Sequence, residues 1–317
     1  MTTSPSVVER PQPSVPAPTL WDRYVHFVNR HRKWVLAGPT VAFIVAMVSF
    51  PLVYTVWLSL TNAQGSVTRA VSFIGFDNYA ALFTTDDRFW PAVGRTFYFT
   101  LGAVAIEVVL GMAIALLLRR PFRGERWVRI TILLPLVATP VAVGMMWMLI
   151  FQPTIGAANE ILRRLGLPTQ PWLSSSEQAL PTLMFVDIWQ WTPMVALILL
   201  AGLTAIPEEP DEAARIDGAN AVQRFWYVTL PLLGPTVITA ILLRSIDALK
   251  TFDILYATKG KGGGSFHEAE TLNILAYSYS FDYNKYGLSS AVLVLFFILI
   301  AAVCAFLVLG RRRQRRS

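Results

Sequence analysis

The chain has 317 residues, 54% of them hydrophobic and only 15% charged, with a formal net charge of +7. Several runs of about eighteen residues or more are almost free of charge, enough to cross a hydrocarbon core of about 30 Å, which excludes an ordinary soluble domain. A single cysteine, Cys304, excludes an intrachain disulfide framework or a cysteine-based metal site, and the histidines offer no ligand-like spacing, so no metal is expected.

Residues 1–20 are rich in Pro, Ser and Thr and predict a disordered tail without the basic start, apolar core and cleavage site of a signal peptide. Trp21, Tyr24, Val25 and Val28 recur at helical spacing beside Arg23, Arg30, Arg32 and Lys33, so a helix lying on the membrane surface is expected through Trp34. Six spans follow, at about 35–60, 93–118, 129–151, 181–205, 229–250 and 288–310. Basic residues cluster before the first span, in the loop after the second (Arg119, Arg120, Arg123, Arg126, Arg129) and in the tail 311–317 (Arg311, Arg312, Arg313, Arg315, Arg316). With six spans all three clusters fall on one side, which makes that side and both termini cytoplasmic. The positive charge is therefore topology information, and no nucleic-acid partner is expected.

Within the spans, ionisable groups are costly and face protein or water. Glu107 in span two reads as a helix-packing partner rather than a substrate contact. Pro135, Pro140 and Pro193 are expected to loosen spans three and four, a property tolerated in helices that line a lumen. Span four opens on Asp187, Trp189, Gln190, Trp191 and Met194, pairing aromatic faces with hydrogen-bonding groups as a sugar site requires, although tryptophans also gather at membrane boundaries. Span five carries Arg244, Asp247 and Lys250 on neighbouring turns, either a self-neutralised ion cluster or a polar patch lining a pathway. The Lys259–Ser265 run lacks the Gly-Lys-Ser/Thr order of a phosphate loop and reads as a flexible loop.

Between spans four and five lies a polar stretch, 206–231. Glu208, Glu209, Asp211 and Glu212 crowd a helix start, where carboxylates suit the positive end of the dipole, and Pro210 fits its first turn. A short helix over about 210–217, a turn at Gly218, and a second helical segment from Asn220 carrying Phe225, Trp226 and Val228 onto an apolar surface are expected. Glu212-Ala213-Ala214, Asp217-Gly218-Ala219, Phe225 and Leu230-Pro231 resemble the EAA loop of ABC importer permeases, with Val228 where that pattern has Ile. Gly75-Phe76-Asp77-Asn78-Tyr79, Gly156 with Asn159, and Trp172-Leu173 resemble outer loops of the sugar-importing branch, whereas Pro210-Asp211 and Lys259–Gly264 depart from it.

The resemblance implies an all-α membrane protein of six transmembrane helices with the type I (MetI-like) importer permease fold, its permease domain over 35–310. It implies that Glu212, Ala213, Ala214, Asp217, Gly218, Ala219 and Phe225 dock on a cytoplasmic ABC ATPase dimer. It also implies a second homologous permease subunit, an extracytoplasmic solute-binding protein and a place in the bacterial cytoplasmic (inner) membrane. No catalytic residue or bound cofactor is expected in this chain, since ATP would be used by the partner subunit. In sugar importers the outer part of span five contributes sugar contacts, so the implied function is sugar translocation past Asp187, Trp189, Gln190, Trp191, Met194, Arg244, Asp247 and Lys250. A permease for a polyol, glycerol phosphate or amino acid, or a secondary transporter, stands as the alternative.

Overall fold

The computed structural model describes Thr19 and residues 32–65, 71–119 and 122–314. The predicted tail apart from Thr19, most of the surface helix and the last three residues of the basic tail lie outside them. The chain divides into two compact units, Met1–Tyr54 and Thr55–Ser317. Helix α1 (Arg32–Ser59) contains the first apolar span, Leu36–Ser59.

In the second unit, α2 (Asp77–Thr84) leads to α3 (Phe89–Leu118), whose 30 residues are about 45 Å long at the α-helical rise. Helices α4 (Glu125–Leu133) and α5 (Pro140–Ile150) are followed by the short α6 (Ala157–Arg164) and the long α7 (Ala179–Thr204). After α8 (Glu209–Ile216) and α9 (Ala221–Arg224), a π-helical turn at Phe225–Thr229 runs into α10 (Leu230–Leu249). Short α11 (Asp253–Lys259) and α12 (Leu272–Tyr277) precede the last span, α13 (Tyr286–Gln314). Among the described residues the only β pairing is the isolated bridge between Thr61 and Phe73.

Five helical stretches are long and apolar enough to cross a membrane. The third predicted span, 129–151, is not one helix: Glu125–Val137 and Pro140–Ile150 meet at 101°. The cause is local. Leu134–Val137 tightens into a 3-10 turn around Pro135, and Thr139 is extended at ψ 144°, because the residue before a proline is pushed out of the α region. Pro140 then starts α5, where a missing N–H costs nothing.

The spans approach closely through small residues. A methyl placed at Gly111 of α3 would lie 2.8 Å from Val195 of α7, and one at Gly202 of α7 would lie 2.6 Å from Thr236 of α10. The resulting core joins Met112 and Ala115 of α3, Val195, Leu199 and Leu203 of α7, and Leu233 and Ala240 of α10. A second core packs Phe99, Val143 and Leu183 against Ile254 and Leu255 of α11, and a third packs Phe89 and Leu275 against Val292 and Phe296 of α13. Outward, Leu101, Val109, Leu117, Met145, Leu149, Phe297 and Ile298 are exposed. In a helical bundle whose backbone polar groups are internally satisfied, such a surface suits lipid.

The loop motifs are pins. Asn78 donates to the carbonyls of Ser59 and Thr61, both at 2.8 Å, and the Ser59 and Tyr79 hydroxyls share a bond of 2.7 Å. Asn159 donates to the Pro153 and Gln170 carbonyls and accepts from the Trp172 indole at 2.8 Å. The glycine run, expected as a flexible loop, is a packed turn: Gly260, Gly262, Gly263 and Gly264 all have positive φ, and a methyl at Gly263 would lie 2.5 Å from the Glu270 nitrogen. Only glycine supplies that backbone without strain.

Candidate functional site

The polar loop folds as two short helices held by local chemistry. Pro210 sits in the first turn of α8 with Glu209, Asp211 and Glu212 at its positive end. At the other end Gly218 takes φ +81°, its N–H reaches the Arg215 carbonyl at 3.0 Å, and the Ala219 N–H reaches Ala214 at 2.9 Å. This is the glycine C-terminal cap that leaves few helix carbonyls orphaned. Asn220 caps α9 reciprocally: its side chain accepts from the Gln223 N–H, and the Gln223 side chain accepts from the Asn220 N–H, each at 2.9 Å. Asp211 joins the two helices, bonding Arg215 at 2.7 Å and Arg224 at 3.0 Å. Burial pushes the Asp211 carboxyl up, but the two guanidiniums outweigh it and hold it below the usual carboxylate range.

The loop presents Glu212, Ala213, Asp217 and Gly218 to solvent, with Ala214 and Ala219 half-buried. Ile216 is 87% exposed, an isolated apolar side chain at the tip. Phe225 instead roots the loop, packing on the core of α3, α7 and α10 with Ile206 and Leu230. Trp226, expected on the same apolar surface, is exposed, and Val228 is half-buried. Adjacent residues of a helix point in different directions, so with Phe225 on the core Trp226 faces away from it.

The second constellation lies within the spans. Arg244 of α10 is fully buried, as are Glu107 of α3 and Asp187 of α7. The guanidinium grips Glu107 with two bonds, Nε to Oε2 at 2.6 Å and Nη2 to Oε1 at 3.0 Å. Nη2 also donates to Asp187 Oδ2, and Nη1 reaches Asp247 Oδ2 at 3.3 Å. The Arg244 Cζ atom lies over the Trp191 ring, 5.4 Å from its centroid. Charges so placed persist only when paired and hydrogen-bonded. The sequence places Arg244, Asp247 and Lys250 together on one helix, but the main partners of Arg244 come from two other spans.

Beside this cluster lies a cavity of about 130 Å³, lined by Pro140, Asp187, Trp191, Asp247, Lys250 and Asp253 among others. Four of the eight residues named from spans four and five therefore meet there. Trp189 does not: it packs in the core 5.5 Å from the Trp147 ring. Gln190 is buried and donates to the Ala138 carbonyl at 3.1 Å, spanning the break before α5, while Met194 and Arg244 are outside the lining. Asp187 Oδ1 and Gln190 Oε1 are buried without a hydrogen-bond partner.

A third polar cluster joins the loops. Arg88 pairs with buried Glu270 and lies 5.2 Å from the rings of both Tyr279 and Tyr283. Lys259 reaches Glu268 at 2.5 Å and the Leu173 carbonyl at 2.7 Å. Burial pushes the Glu268 carboxyl up, but Lys259 and backbone amides outweigh it and hold it low.

A polytopic helical protein with an exposed, self-capped loop before its fifth span and a polar cavity between spans has the build of a transport-system membrane subunit. The profile of the family described as binding-protein-dependent transport system inner membrane component matches residues 107–315, and the chain belongs to that family. It is 34% identical to the trehalose/maltose transport system permease protein MalF of Thermococcus litoralis, over 89% of this chain and 94% of that protein. It is 32% identical to the trehalose transport system permease protein SugA of Mycobacterium tuberculosis, over 87% of each. In fold it is similar to a chain of a bacterial ABC transporter involved in the import of the polysaccharide alginate, with a TM-score of 0.78 at 19% identity, covering 92% of this chain and 99% of that one.

Proposed function

We propose that this chain is one of two permease subunits of an ATP-driven importer that carries a neutral sugar across the cytoplasmic membrane. The observation that carries the reading is the α8–Gly218–α9 knob. It is rooted by Phe225 and tied by Asp211, yet offers Glu212, Ala213 and Ile216 outward, as a rigid element docking on another subunit requires. The partner would be a cytoplasmic ATPase dimer that hydrolyses ATP, so the knob and both termini face the cytoplasm. The basic clusters around residues 119–129 and 311–316 support that orientation. The permease domain is read as 35–310, between an N-terminal segment 1–34 and a basic tail 311–317.

The sugar assignment draws on relatives named for trehalose and maltose and on Trp191 beside the carboxylates of Asp187 and Asp247. A cavity of about 130 Å³ is smaller than the roughly 300–1,000 Å³ of small-molecule sites. It therefore serves as one wall, with a second, homologous permease supplying the other and an external binding protein delivering the solute. Closure of the ATPase pair would rock the helices around that site.

The test is reconstitution of the assembled transporter with binding protein and trehalose or maltose as probe. Glu212→Ala and Gly218→Pro should insert normally but lose solute-stimulated ATP hydrolysis. Trp191→Ala should slow uptake while basal hydrolysis persists. Normal stimulation in both loop variants would sink the coupling assignment, and unchanged uptake in Trp191→Ala would move the solute path elsewhere.

A further inference from the structure

We propose that Glu107 is a specificity-determining residue that never touches the solute: by binding the Arg244 guanidinium from behind, it keeps the cavity wall acidic and so turns away anionic solutes. The inference rests on the reading of this cavity as the solute path.

The argument begins with where the positive charge goes. A buried arginine beside a transport cavity is ordinarily an anion receptor, since its planar fork of donors matches carboxylate and phosphate. Here that fork is already occupied. Glu107 takes Nε and one Nη2 bond, Asp187 takes another from Nη2, and Asp247 takes one from Nη1. Glu107 belongs to α3, which contributes nothing to the cavity lining, so it pulls the guanidinium toward the helix interface and away from the wall.

What remains at the wall is carboxylate. Asp187, Asp247 and Asp253 line the cavity with Lys250. Including Glu107 and Arg244, four carboxylates stand against two cations, a formal excess of two negative charges. Asp187 Oδ1 carries the second, independent sign. The residue is fully buried and lines the cavity, its other oxygen is held by Arg244, and Oδ1 has no partner. An acceptor left open beneath the wall adds to its negative potential, which favours a hydroxyl or ammonium donor and penalises a phosphate or carboxylate. The cavity therefore takes neutral, hydroxyl-bearing or cationic groups. Loss of the Glu107 charge would halve that excess, free part of the Arg244 fork and weaken the preference.

Thiol labelling tests this without knowledge of the solute. In the assembled transporter, Cys304→Ser removes the one native cysteine and Thr251→Cys places a thiol in the cavity lining. Rates are measured with cationic trimethylammonioethyl methanethiosulfonate and anionic sulfonatoethyl methanethiosulfonate, each normalised to a free thiol. The cationic reagent should be favoured by about tenfold, as in clefts walled by one sign of charge. Glu107→Gln should cut that ratio several-fold, and Glu107→Asp, which keeps the charge, should retain most of it. Asp247→Asn, a change at a half-exposed side chain, should lower the ratio if Glu107→Gln does not assemble. Preference for the anionic reagent without the Glu107 substitution, or a ratio untouched by either neutralisation, would overturn the proposal even with ATP-driven sugar uptake intact. Failure of both reagents to label would overturn the solute path itself along with it.

Discussion

The polar loop before the fifth span and the buried ion cluster both hold opposite charges together, but over very different distances along the chain. In the loop, Asp211 binds Arg215 four residues away and Arg224 thirteen away, with side chains that water reaches. In the cluster, Arg244 binds Asp187 across 57 residues and Glu107 across 137, with all three fully buried. The first arrangement is shaped by caps and a turn, and its ion pairs add little stability in a high dielectric. The second exists only because three spans converge, and each member depends on the others to offset the cost of burial. Substitutions in the loop should therefore disturb signalling with the fold intact, whereas those in the cluster should disturb assembly first.

The largest effect is expected at Arg244. Arg244→Met leaves Glu107 and Asp187 buried without a counter-charge, a loss of about 3–5 kcal/mol. Thermal unfolding of the purified protein should show it, and adding Glu107→Gln and Asp187→Asn should recover part of it. A stable Arg244→Met protein would show that the cluster does not bind the spans together. Next is Gly218→Ala. A methyl at Gly218 meets nothing within 4 Å, so its cost is the left-handed backbone alone, about 1–2 kcal/mol. Hydrogen exchange should quicken in α8 and α9 but not in α3 or α7.

Asn220→Ala removes one half of the capping box and should loosen α9 by about 1 kcal/mol, read by the same exchange measurement. Spread of that loosening into α10 would mean that the loop and the spans are one cooperative unit. The smallest effect concerns acid. Because the Asp211 carboxyl is held below its ordinary range, its pairing favours the folded loop above that range and is lost as pH falls through the lowered value. The loop should loosen slightly at acid pH, and Asp211→Asn should remove that pH dependence while changing stability at neutral pH by less than about 1 kcal/mol.

Much of this architecture was legible before folding was considered. Hydrocarbon thickness sets span length, so the apolar runs located α1, α3, α7, α10 and α13 within a few residues. The loop was equally legible, since carboxylates at a helix start, Gly218 at a turn and Asn220 before a helix act on backbone groups only a few residues away. The 101° break at Leu134–Pro140 was half visible: the prolines promised weakness there, but not that α5 beyond it would pack on α11, where Gly144 lets Ile254 and Thr258 come close.

Tertiary structure alone decided the rest. Nothing near Glu107 in sequence marks it as the partner of Arg244, and nothing in the order Asp187-Ile188-Trp189-Gln190-Trp191 says that Asp187 and Trp191 meet the cavity while Trp189 joins a core. Residues four apart share a helix face, but which face is lumen depends on what packs around it. Hydrophobic length and capping are properties of a segment with its immediate solvent and backbone. Charge pairing inside the membrane belongs to several segments at once, because no span can offset the cost of its own buried ions until the others have arrived.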